Sequence, residues 1–178
     1  MRCWQNLVVI VCLCAVCAGC GLSRLSLNFG EEKPAATVPN VPRERSVDPN
    51  RALALINEHR RSKGRSTLTH DPRLSAIARQ TARELARRNT LRTEMHTSAG
   101  IARRLDDANY SAARAAENLG AGYPTLVLAV DGWKTSRGHN KNLLNRDMTH
   151  AGIGLALTDK GQYKSFWVLL LAEPDDAA

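Results

Sequence analysis

Beyond residue 20 the 178-residue chain has no cysteine. Cys3, Cys12, Cys14, Cys17 and Cys20 all stand before that point, so the remainder can close no disulfide within itself and build no thiolate metal site. A metal there would rest on His, Asp and Glu. Aromatic residues are nearly as scarce, at 4%. A core must therefore be made of Ala, Leu, Ile and Val, and the ring platforms on which single-strand nucleic-acid binders stack bases are missing. No apolar run is long enough to cross a bilayer: the longest, Leu7 to Ala18, falls well short of the roughly 20 residues a spanning helix needs. Also absent are an H-E-x-x-H zinc signature, a recognisable Ser-His-Asp order and a nucleophilic cysteine in the folded part.

What is present in excess is positive charge. The net charge is +8, and arginines crowd the stretch from Arg60 to Arg104. Such a run marks either a face turned toward anionic lipid, glycan phosphate or nucleic acid, or a solvated helix surface. Dispersal at helical spacing without interleaved aromatics favours the solvated surface, and no nucleic-acid partner is expected.

The start, "MRCWQNLVVIVCLCAVCAGCG", has a basic residue, an apolar run and a small-residue end, the pattern of a signal peptide over residues 1–19. Its "CAGC" resembles the lipobox of bacterial lipoproteins, which implies lipidation at Cys20, a membrane partner through that lipid anchor and an extracytoplasmic location. Cys17 stands where that motif usually has leucine, so secretion after cleavage near Ala18 to Cys20 is the alternative. Residues 20–47, with Pro34, Pro39 and Pro42 and no sustained period, predict a flexible tether.

The folded part is expected over residues 48–174, with a short tail at 175–178. Asp48-Pro49 and Asp71-Pro72 are helix entrances, an acidic cap followed by a proline whose missing donor costs nothing there. Leu74, Ile77, Ala78, Thr81 and Leu85 then form the stripe of an amphipathic helix whose other face carries Arg73, Arg79, Arg83, Arg87 and Arg88. A shorter helix is expected over Ile101 to Ala108. Pro124 reads as opening another, with Leu126, Val127, Val130 and Trp133 inward and "RGH" at 137–139 as its exit. "HAGIGLALT" and "YKSFWVLLLAEP" around a "DKGQ" turn read as a hairpin. The second of these is apolar on both faces and must be covered on both. The fold class is α+β, a three-layer α-β-α sandwich with a small, mainly antiparallel sheet flanked by helices.

Of the five histidines, His59 and His70 sit at helix ends and read as surface residues, while His96, His139 and His150 fall in loops or junctions around Glu117. The stretches "INEHRRSKGRSTLTHDPRLSAIARQTARELARRN", "MHTS", "AENLGAG", "GWKTSRGHNKNLLN", "MTHAGIGLAL" and "FWVLLLAEP", in that order, resemble the bacterial branch of the CAP superfamily, also called SCP domains: the cysteine-rich secretory, antigen 5 and pathogenesis-related proteins. The resemblance covers about Arg51 to Pro174. It implies an α-β-α sandwich and a shallow cavity lined by His96, Glu117 and His139, with Trp133 anchoring the helix before His139. Animal and plant members carry a second glutamate where this chain has Ser136, and a further histidine for which Asp147 or His150 stands near the place. His150 and Asn118 are the secondary ligand-binding candidates, Asn118 reading otherwise as a turn residue.

Two imidazoles and a carboxylate can serve in three ways. His96 and His139 could hold a divalent metal such as zinc while Glu117 acts as base toward bound water, making a peptidase-like hydrolase of the cell envelope. The carboxylate could instead fix the tautomer and charge of a histidine in a recognition cleft for a lipid, peptide or cell-wall ligand. Or the three could brace loops without any ligand. The exported binding module is the first expectation, and the hydrolase its alternative.

Overall fold

A computed structural model describes residues 42–175. The expected signal peptide, Cys20, the tether before residue 42 and the tail after Asp175 lie outside the described residues. Among the described residues no helix is long and apolar enough to cross a membrane.

The helix entrances follow from local chemistry. Asp48 caps α1 (Pro49–Ser62) by accepting the Asn50 N–H at 2.9 Å, and Asp71 caps α2 (Pro72–Arg88) by accepting from Arg73 and Leu74. A 3-10 turn (Glu94–His96) leads into α3 (Ser98–Asp107), capped by Thr97. After the two-residue β1 (Thr69–His70), the strands are β2 (Ala112–Ala121), β3 (His150–Leu157) and β4 (Ser165–Pro174). Their order is β1-β3-β4-β2, with β1 parallel to β3 and the other pairs antiparallel. The fold is α+β, a mixed sheet between two helical layers.

β4 is buried from Ser165 to Ala172 because each of its faces meets a helical layer. On one side Phe166, Val168 and Leu170 pack with Leu74, Ile77, Ala82 and Leu85 of α2 and Ile101 and Leu105 of α3. On the other, Trp167, Leu169 and Leu171 meet Ala52, Leu53 and Ile56 of α1 and Trp133 and Val130 of α4 (Leu126–Thr135). Gly152 and Gly154 let α2 lie directly on β3: a Cβ at either would collide with the α2 backbone at Leu74–Ser75 or Ala78–Arg79. Residues 42–47 are laid against the domain, the Glu44 N–H donating to the Pro124 carbonyl at 2.8 Å and Val47 packing on the core.

Three local expectations are corrected. Thr125, not Pro124, is the cap of α4, and Val127 is 39% exposed, its inward place being taken by Ala129. The "RGH" exit is instead the start of a second helix, α5 (Arg137–Leu143): the chain bends at the extended Ser136 and resumes, so His139 lies within a helix. "ARAAENLGA" is the edge strand β2, so Asn118 is a strand residue and not a turn. Ladder bonds to β4 along nearly its whole length impose extension on a sequence poor in β-branched residues.

Candidate functional site

β2 has a neighbour on one side only, and residues of both helical layers bond to its side chains. Glu117 is in register with Leu170 and so shares the α2/α3 face, whereas Asn118, in register with Leu169, shares the α4/α5 face. From one layer the 3-10 turn brings His96; from the other α5 brings His139.

Glu117 has no side-chain exposure, yet neither oxygen lacks a partner. His96 Nδ1 meets Oε2 at 2.9 Å and Arg104 Nη1 donates to Oε1 at 2.8 Å. Arg104, on α3 and 13% exposed in its side chain, also donates to Thr81 Oγ1 (2.6 Å) and to the Met95 carbonyl (2.9 Å), which fixes the 3-10 turn. With Nδ1 donating to a carboxylate oxygen, Nε2 of His96 is left without a hydrogen-bond partner among the described residues, on a side chain 36% exposed. On the other layer, Asn118 Nδ2 donates to the His139 carbonyl at 3.1 Å, and Asn142 Nδ2 donates to Asn118 Oδ1 (3.0 Å) and to the Glu117 carbonyl (3.2 Å). These bonds tie α5 to the strand edge. Burial, aided by the nearby His96, pushes the His139 imidazole down to about 4, so it is neutral at physiological pH.

The structure thus joins His96 to Glu117 directly, holds the His139 backbone to Asn118 on the other face of β2, and leaves the His139 ring near enough to His96 to feel its charge. His150 is not among them: it begins β3, separated from β2 by β4, and its Nδ1 pairs with Thr149 Oγ1 at 2.9 Å. Asp147 lies by Arg114, 3.5 Å from its Nε. Ser136 stands between α4 and α5 and makes no capping bond. His59 and His70, expected at the surface, are half-buried, bonded to Asn140 Oδ1 and Ser75 Oγ. Arg104, Asn142 and Thr81 were not anticipated as parts of the site. The available signal was position: Arg104 follows Ile101 by three residues and so falls on the buried side of α3.

The donors do not fit a resident zinc. Among the described residues no three His, Asp or Glu side chains gather as a metal site. Both oxygens of Glu117 and Nδ1 of His96 are engaged, which leaves at most His96 Nε2 and a ring nitrogen of His139, one short of the three protein ligands of a catalytic zinc. A buried carboxylate held by a guanidinium is also badly placed to take a proton from bound water. A concavity of about 660 Å³ adjoins this cluster at α5, lined by Arg65, Lys141, Asn145, Arg146 and Asp147 and also by Asn142, which the two share.

The profile of the family described as "CAP: Cysteine-rich secretory protein family" matches residues 53–171. Over 118 residues the chain is 29% identical to an uncharacterized protein of Bacillus subtilis (strain 168), YkwD, across 66% of this chain and 46% of that one. An uncharacterized membrane protein of the same strain, YlbC, is 30% identical over 103 residues, 58% of this chain and 30% of that one. The chain spans less than half the length of either relative. Among solved structures, an extracellular protein containing an SCP domain from Bacillus anthracis superposes with a TM-score of 0.59 at 26% identity, covering 70% of this chain and 40% of that chain. An outer surface protein of Borrelia burgdorferi superposes at 0.61 and 23% identity, covering 73% and 98%, and so shares the fold.

Proposed function

This chain belongs to the CAP family of cysteine-rich secretory proteins, and on that premise we propose that it is an exported, lipid-anchored binding module of the cell envelope. Its recognition surface is a cleft at the free edge of β2, where the partly exposed ring of His96 and the neutral ring of His139 meet a lipid, peptide or cell-wall ligand. The observation that carries this reading is the full engagement of Glu117. A carboxylate held by Arg104 on one oxygen and His96 on the other orients an imidazole for recognition, and it is unsuited to serve as the base of a hydrolase. Location outside the cytoplasm is supported by the signal-like start of the chain and by relatives described as an extracellular protein and an outer surface protein.

The test is titration of the protein with muropeptides and with vesicles of envelope lipids. Binding that is lost in a His96→Ala/His139→Ala variant supports the cleft; no binding by the unaltered protein removes it. Anchoring is tested separately. Cys20→Ala is expected to move the protein out of the membrane fraction, and retention there rejects the lipid.

A further inference from the structure

The 660 Å³ concavity beside the C-terminal end of α5 lies within the volume range of small-molecule sites. Its charge is one-sided. Arg65, Lys141 and Arg146 line it, and among the described residues none of the three forms an ion pair. Arg65 uses only Nε within the protein, donating to the Leu144 carbonyl at 3.0 Å, which leaves both its terminal nitrogens as donors. The Lys141 ammonium and the Arg146 guanidinium are exposed and make no hydrogen bond among the described residues. The single acid on the wall, Asp147, faces three cations there and lies 3.5 Å from a fourth, Arg114, which it shares with Glu173.

The segment behind the wall adds to this polarity. Arg60, with no exposed surface, donates to the carbonyls of Ser66 (2.7 Å), Leu143 (2.7 Å), Asn145 (2.9 Å) and Met148 (3.2 Å), and no carboxylate meets it. The carbonyls of residues 143–145, which would otherwise repel an anion, are therefore all turned to arginines. A buried guanidinium bonded only to neutral carbonyls keeps its whole charge uncompensated, and Arg65 is near enough to feel it.

From the three unpaired cations, the wall of occupied carbonyls and the charge behind it, we propose that this concavity is a second site, which binds a phosphate group. Arg65 and Arg146 supply forked donors suited to phosphate oxygens, and Lys141 supplies a point charge. The phosphate belongs either to a soluble compound or to a lipid headgroup, the same chemistry in both cases. The site adjoins the His96–Glu117–His139 cluster, with Asn142 lining the one and bracing the other, but none of its three cations bonds to that cluster, so the failure of either reading leaves the other standing.

The experiment uses the full chain and two probes, inorganic phosphate by calorimetry and phosphatidylglycerol vesicles by flotation against a phosphatidylcholine baseline. Lys141→Ala/Arg146→Ala removes two side chains that make no hydrogen bond or ion pair among the described residues, and a thermal midpoint equal to that of the unaltered protein shows that its fold is intact. It should weaken phosphate binding by about tenfold or more, the loss of a charge-assisted contact. Arg79→Ala/Arg83→Ala, which removes equal charge from α2, should leave binding of both probes nearly unchanged, and His96→Ala/His139→Ala should leave binding of inorganic phosphate nearly unchanged. Response to free phosphate alone assigns a soluble source, and response to vesicles alone assigns the headgroup. No response to either probe, or equal weakening by the α2 variant, overturns the site.

Discussion

Arg104 is the residue on which the site's geometry turns, because it is the permanent cation beside a carboxylate with no exposure of its own. Removing one partner of such a pair leaves an uncompensated buried charge and typically costs about 3–5 kcal/mol. Arg104→Met is accordingly expected to lower the urea midpoint steeply, whereas Arg83→Met, on the exposed face of α2, should change stability by about 0.5 kcal/mol or less. Equal effects would mean that Arg104 is ordinary surface charge. His139 gives a pH signature at the same scale. Its imidazole titrates near 4 in the fold against about 6.5 in the unfolded chain, so between those values the unfolded chain takes up a proton that the fold refuses. Stability from this group is complete above pH 6.5 and lost as pH falls toward 4, by up to roughly 3 kcal/mol. His139→Leu should flatten the dependence in that window, and a ring-proton titration by magnetic resonance should find the midpoint near 4; a midpoint near 6.5 would show the ring to be solvated.

Between elements, the decisive bonds are those from Asn118 and Asn142 that hold α5 to β2. Asn142→Ala leaves the buried Asn118 Oδ1 without its donor, a loss of about 1–3 kcal/mol. Amide exchange should then quicken over residues 137–143 while α2 stays protected; unchanged exchange in α5 would show that its packing alone suffices. The elements differ in how far they could be read beforehand. α1 and α2 were legible because Asp-Pro entrances and an apolar stripe act within the element itself, and β3 with β4 because a strand apolar on both faces admits few other fates. β2 and α5 were not. Ala112–Ala121 has almost no intrinsic preference for extension, and "RGHNKNL" is a poor helix former, so both take their form from partners: β4 for the strand, Arg60 and the two asparagines for the helix. His96, His139 and His150 around Glu117 stand out by their place in loops or junctions, and the family resemblance narrows that set to His96, Glu117 and His139. Arg104 was passed over as one arginine among many.

For the described domain as a whole, β4 is the shared wall of two hydrophobic layers. A cavity on either side weakens that wall, so the layers should lose structure together even though each has its own helices. Leu170→Ala, on the α2 side, and Leu169→Ala, on the α1/α4 side, are each expected to cost about 2–5 kcal/mol. Trp133 and Trp167 both lie in the α1/α4 layer, so in a Trp4→Phe background fluorescence reports that layer alone, while far-ultraviolet circular dichroism reports the helices of both. A single cooperative unit requires the two transitions to coincide for the unaltered domain and for both variants. Because residues 21–178 contain no cysteine, no disulfide within the domain ties the two layers together. Fluorescence and dichroism midpoints that separate in Leu170→Ala would instead show two layers unfolding independently, with β4 a seam between them.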